Sequence, residues 1–298
     1  MARPLRLAIH LLICIPLVMT TSVCRRAPAI FVNHGAGPLP VLMPVTDPDH
    51  GTARAFLEQV APAWLGLNDV DTRPSAIVLV TAHWEESTVA ISSGASHPLL
   101  YDYGGFPKEA YALTYNAKGS PAIAHKIHAL LTAQNIPSKL DPTRGWDHGL
   151  FVPMKLINPA EDIPIVQLSV VRGSDPDLHF RIGEALAPLR DENIAILGSG
   201  MSYHSFHGRG NLVAQSKAFN DALVKACAHV DVQARGEALR AWEAMPGARE
   251  CHPREEHLIP LHVIAGAAGH DALTSKDILS TMFEPVRLVS MGWGVQEL

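Results

Sequence analysis

The chain has 298 residues, enough for one α/β domain, and 47% of them are apolar, so it can bury a sizeable core. Its formal net charge is −5 and no Lys/Arg run stands out, which argues against nucleic acid as a partner. Histidine is the compositional anomaly, at 16 residues, several of them beside Gly, Asn, Asp or Trp.

The N-terminus reads as a leader over residues 1–26, ahead of a folded domain at 27–298. A short basic segment, "MARPLR", precedes the apolar "LAIHLLICIPLVM" and then "TTSVC". That is the order of a secretory signal, and the apolar run is too short for a comfortable membrane span. The first acidic residue is Asp47, which also suits a mitochondrial presequence, and an uncleaved extension is a third reading. Localisation therefore stays open between secretory or membrane-anchored and cytoplasmic or mitochondrial. No extended membrane domain is expected. Cys14 and Cys24 belong to the leader, leaving Cys227 and Cys251. Two cysteines make no disulfide framework, so the fold must stand on its core.

From there, apolar runs and helical patterns alternate. "AIFVN" (Ala29 to Asn33) reads as a strand, and "GTARAFLEQVAPAWL" (Gly51 to Leu65) has helical spacing. "SAIVLVTA" (Ser75 to Ala82) is a continuous apolar strand, the pattern of a sheet covered on both faces. "TVAIS" (Thr88 to Ser92) adds another. A helix follows over Ser120 to Gln134, with Ser120 as cap and Pro121 at its first position. "IPIVQLSV" (Ile163 to Val170) and "NIAILGSG" (Asn193 to Gly200) are strands flanking a helix over Leu178 to Arg190. Helices are expected at about Ser216 to His229 and Val232 to Glu243, and a last strand over Pro285 to Trp293. This alternation implies a single three-layer α/β domain, a central mixed sheet flanked by helices, with the active site at the carboxyl ends of the strands.

His34, His83 and His204 each follow a strand, so three strands deliver a histidine to one edge. Imidazole is the commonest metal ligand among side chains. In "GWDHG", Asp147 and His148 lie between glycines. His148 there is either an acid–base group or part of a polar turn packed by Trp146. In "ECHPREEHLIPLHVIAGAAG", Pro253, Glu255 and Glu256 suit a first helical turn, and Pro260 is tolerated only near a helix start. That places His257 in the first turn, where its side chain points to the pocket edge. It is the expected ligand, with Glu255 or Glu256 as the alternative. His252 reads as a loop residue and His262 as a core one. Trp84, Trp146 and Tyr203 read as either ring-packing or core residues.

The segments "NHG", "AHW", "YDYGGFPKEAY", "GWDHGLFVPMKLINPAEDIPIVQLSV" and "HPREEHLIPLHVIAGAAG" resemble, in that order, the class III extradiol ring-cleaving dioxygenases, DOPA 4,5-dioxygenase-like branch. The resemblance runs from about Pro28 to the C-terminus. It implies a mononuclear Fe(II) site, which Zn(II) can also occupy, held by His34, His83 and His257. It also implies His148 and His204 as acid–base or oxygen-positioning groups. Substrate-side contacts are implied at Asp102, Gly105, Phe106 and Asp147. The implied reaction inserts both atoms of O2 into a catechol, DOPA or a related catecholic acid, opening the ring next to the diol. The implied partners are a catechol and O2, in a monomer or small homo-oligomer. The competing readings are a zinc-dependent hydrolase on the same three histidines and a non-catalytic, Memo-like metal-binding interaction protein.

Overall fold

The computed structural model describes residues 26–206, 211–280 and 285–295. The leader read at 1–26 falls, except for Arg26, outside them. Eight strands form one mixed sheet: β1 (Ala29–Asn33), β2 (Ala76–Glu86), β3 (Val89–Ser92), β4 (Ser138–Asp141), β5 (Ile165–Val171), β6 (Ile194–Gly200), β7 (Leu273–Ser280) and β8 (Val286–Trp293). Their spatial order is β4-β3-β5-β2-β6-β1-β8-β7. The central strands β5, β2, β6 and β1 run parallel, and β8 and β7 extend the sheet antiparallel from β1. Central strands are buried on both faces, which is why they are continuous runs of Ile, Val, Leu and Ala.

The helices are α1 (Leu39–Leu42), α2 (Gly51–Ala55), α3 (Ala61–Trp64), α4 (Pro121–Ala133), α5 (His148–Ile157), α6 (Pro176–Leu186), α7 (Leu212–Cys227), α8 (Val232–Arg240), α9 (Ala248–Cys251) and α10 (Ile259–Ala267). The expected Gly51–Leu65 helix is α2 and α3 joined by a π-turn over Phe56–Val60. α10 lies across β6 and β1 with α6 packed against it, and α5 packs on β2 and β6. The contact of α6 with α10 is close because Gly183 and Gly266 leave room there. A Cβ on Gly183 would lie 1.9 Å from the Val263 carbonyl oxygen, and one on Gly266 would lie 2.0 Å from that of Phe180. Arg190 is fully buried and donates to the carbonyls of Ala267 and Ala268 at 2.9 and 2.8 Å, taking up unpaired acceptors at the end of α10. Cys227 and Cys251 are free and buried. No helix among the described residues is long and apolar enough to cross a membrane.

Two of the segments that carry histidines differ from the sequence expectation. β2 does not stop at Ala82 but continues to Glu86, with its register against β5 shifting between Thr81 and Glu85. His83 sits in that irregularity rather than after the strand. α10 begins at Ile259, so His257 lies just before the helix and not in its first turn. His252 lies before the helix, outside any helix or strand, as expected, and is fully buried.

Candidate metal centre

The carboxyl ends of β1, β2 and β6 bring the sequence-predicted histidines together. His34 follows β1, and its backbone N–H donates to the Gly200 carbonyl at the end of β6 at 3.1 Å. His257 reaches the same edge because β6 carries no side chain beneath it. The Met201 N–H donates to the His257 carbonyl at 2.9 Å, and a Cβ on Gly200 would lie 2.1 Å from that carbonyl oxygen. His83 comes from the irregular part of β2.

The three Nε2 atoms converge. His83 Nε2 is 3.1 Å from His34 Nε2 and 3.2 Å from His257 Nε2. The Nδ1 atoms face outward to oxygens. His34 Nδ1 is 3.0 Å from Ser199 Oγ. Ser199 Oγ donates its own proton to the Gly149 carbonyl, so it can only accept from His34. His257 Nδ1 is 2.9 Å from the Glu256 carboxylate, another acceptor. His83 Nδ1 is turned toward Asp102 Oδ2 at 3.7 Å. His34 and His257 therefore carry their protons on Nδ1 and present Nε2 lone pairs to a single His83 nitrogen. That nitrogen has at most one proton to donate. A shared cation satisfies all three. The separations match ligands about 2.1 Å from one centre, which lie about 3.0 Å apart at a right angle and about 3.4 Å apart at the tetrahedral angle. The donor set thus fits a divalent metal ion, with the outward oxygens fixing tautomer and ring orientation.

Electrostatics agree with this protonation state. Burial, reinforced by neighbouring imidazoles, holds His34 and His257 well below the ordinary histidine value and pushes His83 down to about 3. Neutral imidazole is the ligating form. Two other groupings of potential ligands overlap this one: His34, His83 and His148, and His204, Glu256 and His257. In the second, Glu256 approaches the Nδ1 side of His257, away from the converging nitrogens, and so fixes the ring's orientation.

His148 is the first residue of α5, and its ring lies 3.9 Å, centroid to centroid, from that of His83. Asp102 Oδ1 accepts from both its Nδ1, at 2.7 Å, and its backbone N–H, at 3.0 Å. Burial alone would raise the Asp102 carboxyl, but the bonds and charge of His148 outweigh it and hold it below the usual range. His204 stacks on His257 at 3.5 Å, with Nδ1 3.5 Å from Glu256 Oε1, and burial lowers it.

A cavity of about 410 Å³ opens over these histidines. Its wall includes Phe106 and Tyr103 from the loop after β3, with Met201, Tyr203 and Phe206 on the other side. Not every expected contact lies on that wall. Asp102 stands behind His148. Gly105 turns the loop at φ +79° beside Phe106 but does not line the cavity. Asp147 is fully buried away from it, with its carboxylate accepting from Thr81 and Gln167 at 2.8 Å each and paired with Arg144 at 3.3 Å. It does not line the cavity, where a substrate-side contact was expected. Removed from water and near the Asp102 charge, its carboxyl is pushed up to about 6. Of the aromatic candidates, Trp84 and Trp146 are core and Tyr203 reaches the cavity. Sequence reasoning missed Ser199, the role of Glu256 behind its neighbour, and the cavity residues Leu39, His50 and Leu288. Glu256 stood out only as an alternative ligand, and the others carry no local signal because each is brought in by the fold.

An irregular sheet edge with converging imidazoles, a carboxylate-held histidine and a largely apolar cavity defines an α/β protein built around a metal site. A family model described as the catalytic LigB subunit of aromatic ring-opening dioxygenase matches residues 29–290, and the chain belongs to that family. It is 44% identical over 264 residues to "Dioxygenase tasH" of Hapsidospora irregularis, across 81% of this chain and 78% of that protein. It is 34% identical to the "4,5-DOPA dioxygenase extradiol" of Beta vulgaris, across 75% of this chain and 86% of that one. The protein of that name from Escherichia coli (strain K12) is also 34% identical, across 81% and 85%. Among solved structures, an uncharacterized protein from Escherichia coli K12 is similar with a TM-score of 0.69 and 27% identity, over 90% of this chain and 100% of that one. Ring-cleaving dioxygenation is the activity class that the relatives and the site support.

Proposed function

We propose that this protein is an Fe(II)-dependent extradiol dioxygenase that binds a catechol and O2 and opens the ring next to the diol. The observation that carries this reading is the convergence of the His34, His83 and His257 Nε2 lone pairs beside His148. Those three are the proposed ligands. When bound, the iron would acidify the diol and offer sites for its oxygens and for O2.

The chain's own groups do the rest. His148 donates its Nδ1 proton to Asp102, which leaves Nε2 to take a proton from a catechol hydroxyl. Asp102 is a positioning residue and stabilises the imidazolium that forms. His204, stacked on His257, offers a second imidazole to the cavity beside the proposed ligands. Phe106 and Tyr103 flank the ring and exclude water, and Gly105 supplies the turn that points Phe106 inward. The cavity volume falls within the ordinary range for small-molecule sites, about 300–1,000 Å³.

The test loads the protein with Fe(II) without air and adds DOPA, caffeate, protocatechuate and unsubstituted catechol in turn. O2 consumption and visible absorbance are followed together. Stoichiometric O2 uptake with a yellow ring-fission product supports the reading. Iron binding with no O2 uptake from any catechol overturns it, and ester or amide hydrolysis with Zn(II) would replace it.

A further inference from the structure

The cavity is longer than the metal site. Across the sheet, the histidine-bearing strands β2, β6 and β1 are followed by β8 and then β7. β8 runs antiparallel to β1, with Phe31 opposite Met291, so the start of β8 projects past the end of β1. That projection carries Val286 and Leu288 into the cavity wall. Leu39 from α1, Ala53 from α2 and Leu212 from α7 complete an apolar lobe in the same cavity. α2 packs on β7 and α7 packs on β8, so the lobe lies over these two strands. Adjacent strands are about 4.8 Å apart. The lobe is therefore displaced from His34 by about 5–10 Å along the sheet edge. One ring held at the histidines does not reach the far end of that span.

We infer that the substrate is a catechol bearing an apolar substituent, an alkyl or alkenyl chain or a second ring, which lies in this lobe while the diol sits at the histidines. The inference rests on the proposed catechol cleavage and adds the substrate class to it. The lobe is continuous with the site, so a ligand anchored by its diol enters it without a separate binding event. Each methylene that leaves water there strengthens binding by about fourfold. Asp49, His50 and Ser280 also reach this side of the cavity, so the comparison must include a charged tail.

The test compares catechol, 4-methylcatechol, 4-butylcatechol and protocatechuate on the Fe(II)-loaded protein. Binding is measured without O2 by calorimetry, and turnover is measured separately as kcat/KM. The expected result is affinity that rises along the alkyl series, with 4-butylcatechol on the order of tenfold or more tighter than catechol. Val286→Thr keeps the side-chain shape and adds a hydroxyl to the lobe. Ala53→Phe fills it. Each should bring the butyl-to-unsubstituted affinity ratio toward one. If catechols are cleaved but the alkyl series is flat, or protocatechuate binds tightest, this inference falls and catechol cleavage stands. If no catechol is cleaved, the proposed reaction falls, and the anaerobic affinities still show whether the lobe takes an apolar chain. An unchanged ratio in Val286→Thr, in a variant that retains its iron, also overturns the lobe assignment.

Discussion

Two sets of buried histidines can be compared in this molecule. His34, His83 and His257 lie at the sheet edge, and His179 and His262 lie inside the helical layer over β6. Both sets are withdrawn from water, and both are held neutral by burial. The difference is where the ring nitrogens point. His179 Nε2 accepts from the Val171 N–H at 2.9 Å and its Nδ1 meets the Asp175 carbonyl at 2.6 Å. His262 Nε2 meets the Leu239 carbonyl at 3.2 Å. These rings stitch backbone to backbone. At the edge, the nitrogens left over after the outward bonds face one another. A depressed pKa therefore does not distinguish the proposed ligands here, and converging lone pairs do.

The sharpest way to break that distinction is to remove the imidazole shared by both close contacts. His83→Ala should abolish stoichiometric metal binding, read by elemental analysis of the dialysed protein, and reduce turnover to background. Retention of one metal per chain would show that the convergence is accidental. Next in size, His148→Gln should keep its metal while kcat falls by about 10²–10⁴-fold, the usual range for an acid–base group. A variant that loses metal instead would move His148 into the ligand set. Glu256→Gln is milder. Losing the carboxylate behind His257 should weaken metal affinity by about 10–100-fold, measured by chelator competition. An unchanged affinity would mean that the ring is oriented by packing alone.

The smallest effect belongs to the core set. Burial pushes His179 and His262 down to about 4 from an ordinary 6.5. The unfolded chain then takes up protons in that window that the folded chain refuses, so stability rises with pH. The contribution is fully present above 6.5 and is lost as pH falls toward 4. Urea unfolding of the metal-loaded protein should show a lower midpoint at about pH 5 than at about pH 7. A midpoint that rises on acidification would contradict the neutral assignment.

The sequence made the central sheet legible because β1, β2, β5 and β6 are continuous apolar runs. Three of their neighbouring histidines could be placed at one edge for the same reason. The edge strands β4 and β7, "SKLD" and "LTSKDILS", were not legible. Their charged and hydroxyl residues suit a sheet edge facing water and look like loops in one dimension. α5 was hidden as well, since Gly149 and Pro153 fall inside it. Pro153 lies inside α5 and cannot donate to the Gly149 carbonyl one turn back, and that carbonyl accepts from Ser199 Oγ instead. The outward partners of the rings were beyond reach for a different reason. Ser199 is distant in sequence from His34, and Asp102 from both His83 and His148, so no spacing rule connects them. Asp147 shows the opposite error. Its place on the substrate side came from the resemblance alone, and in the fold Asp147 is the N-cap of α5 while His148, its first residue, is the one that lines the cavity.

Gly200 has a consequence for how the centre could change over time. The backbone of residue 257 rests on β6 where a methyl group would otherwise stand. Replacing any histidine alters which atoms meet the ion, but adding one carbon at position 200 alters how far apart the strands and the approaching loop can hold them. The spacing of the proposed ligands is thus inherited from a position that contributes no donor atom. A mutational search limited to ligands and cavity walls would overlook Gly200, where an added Cβ would meet the His257 carbonyl oxygen at 2.1 Å.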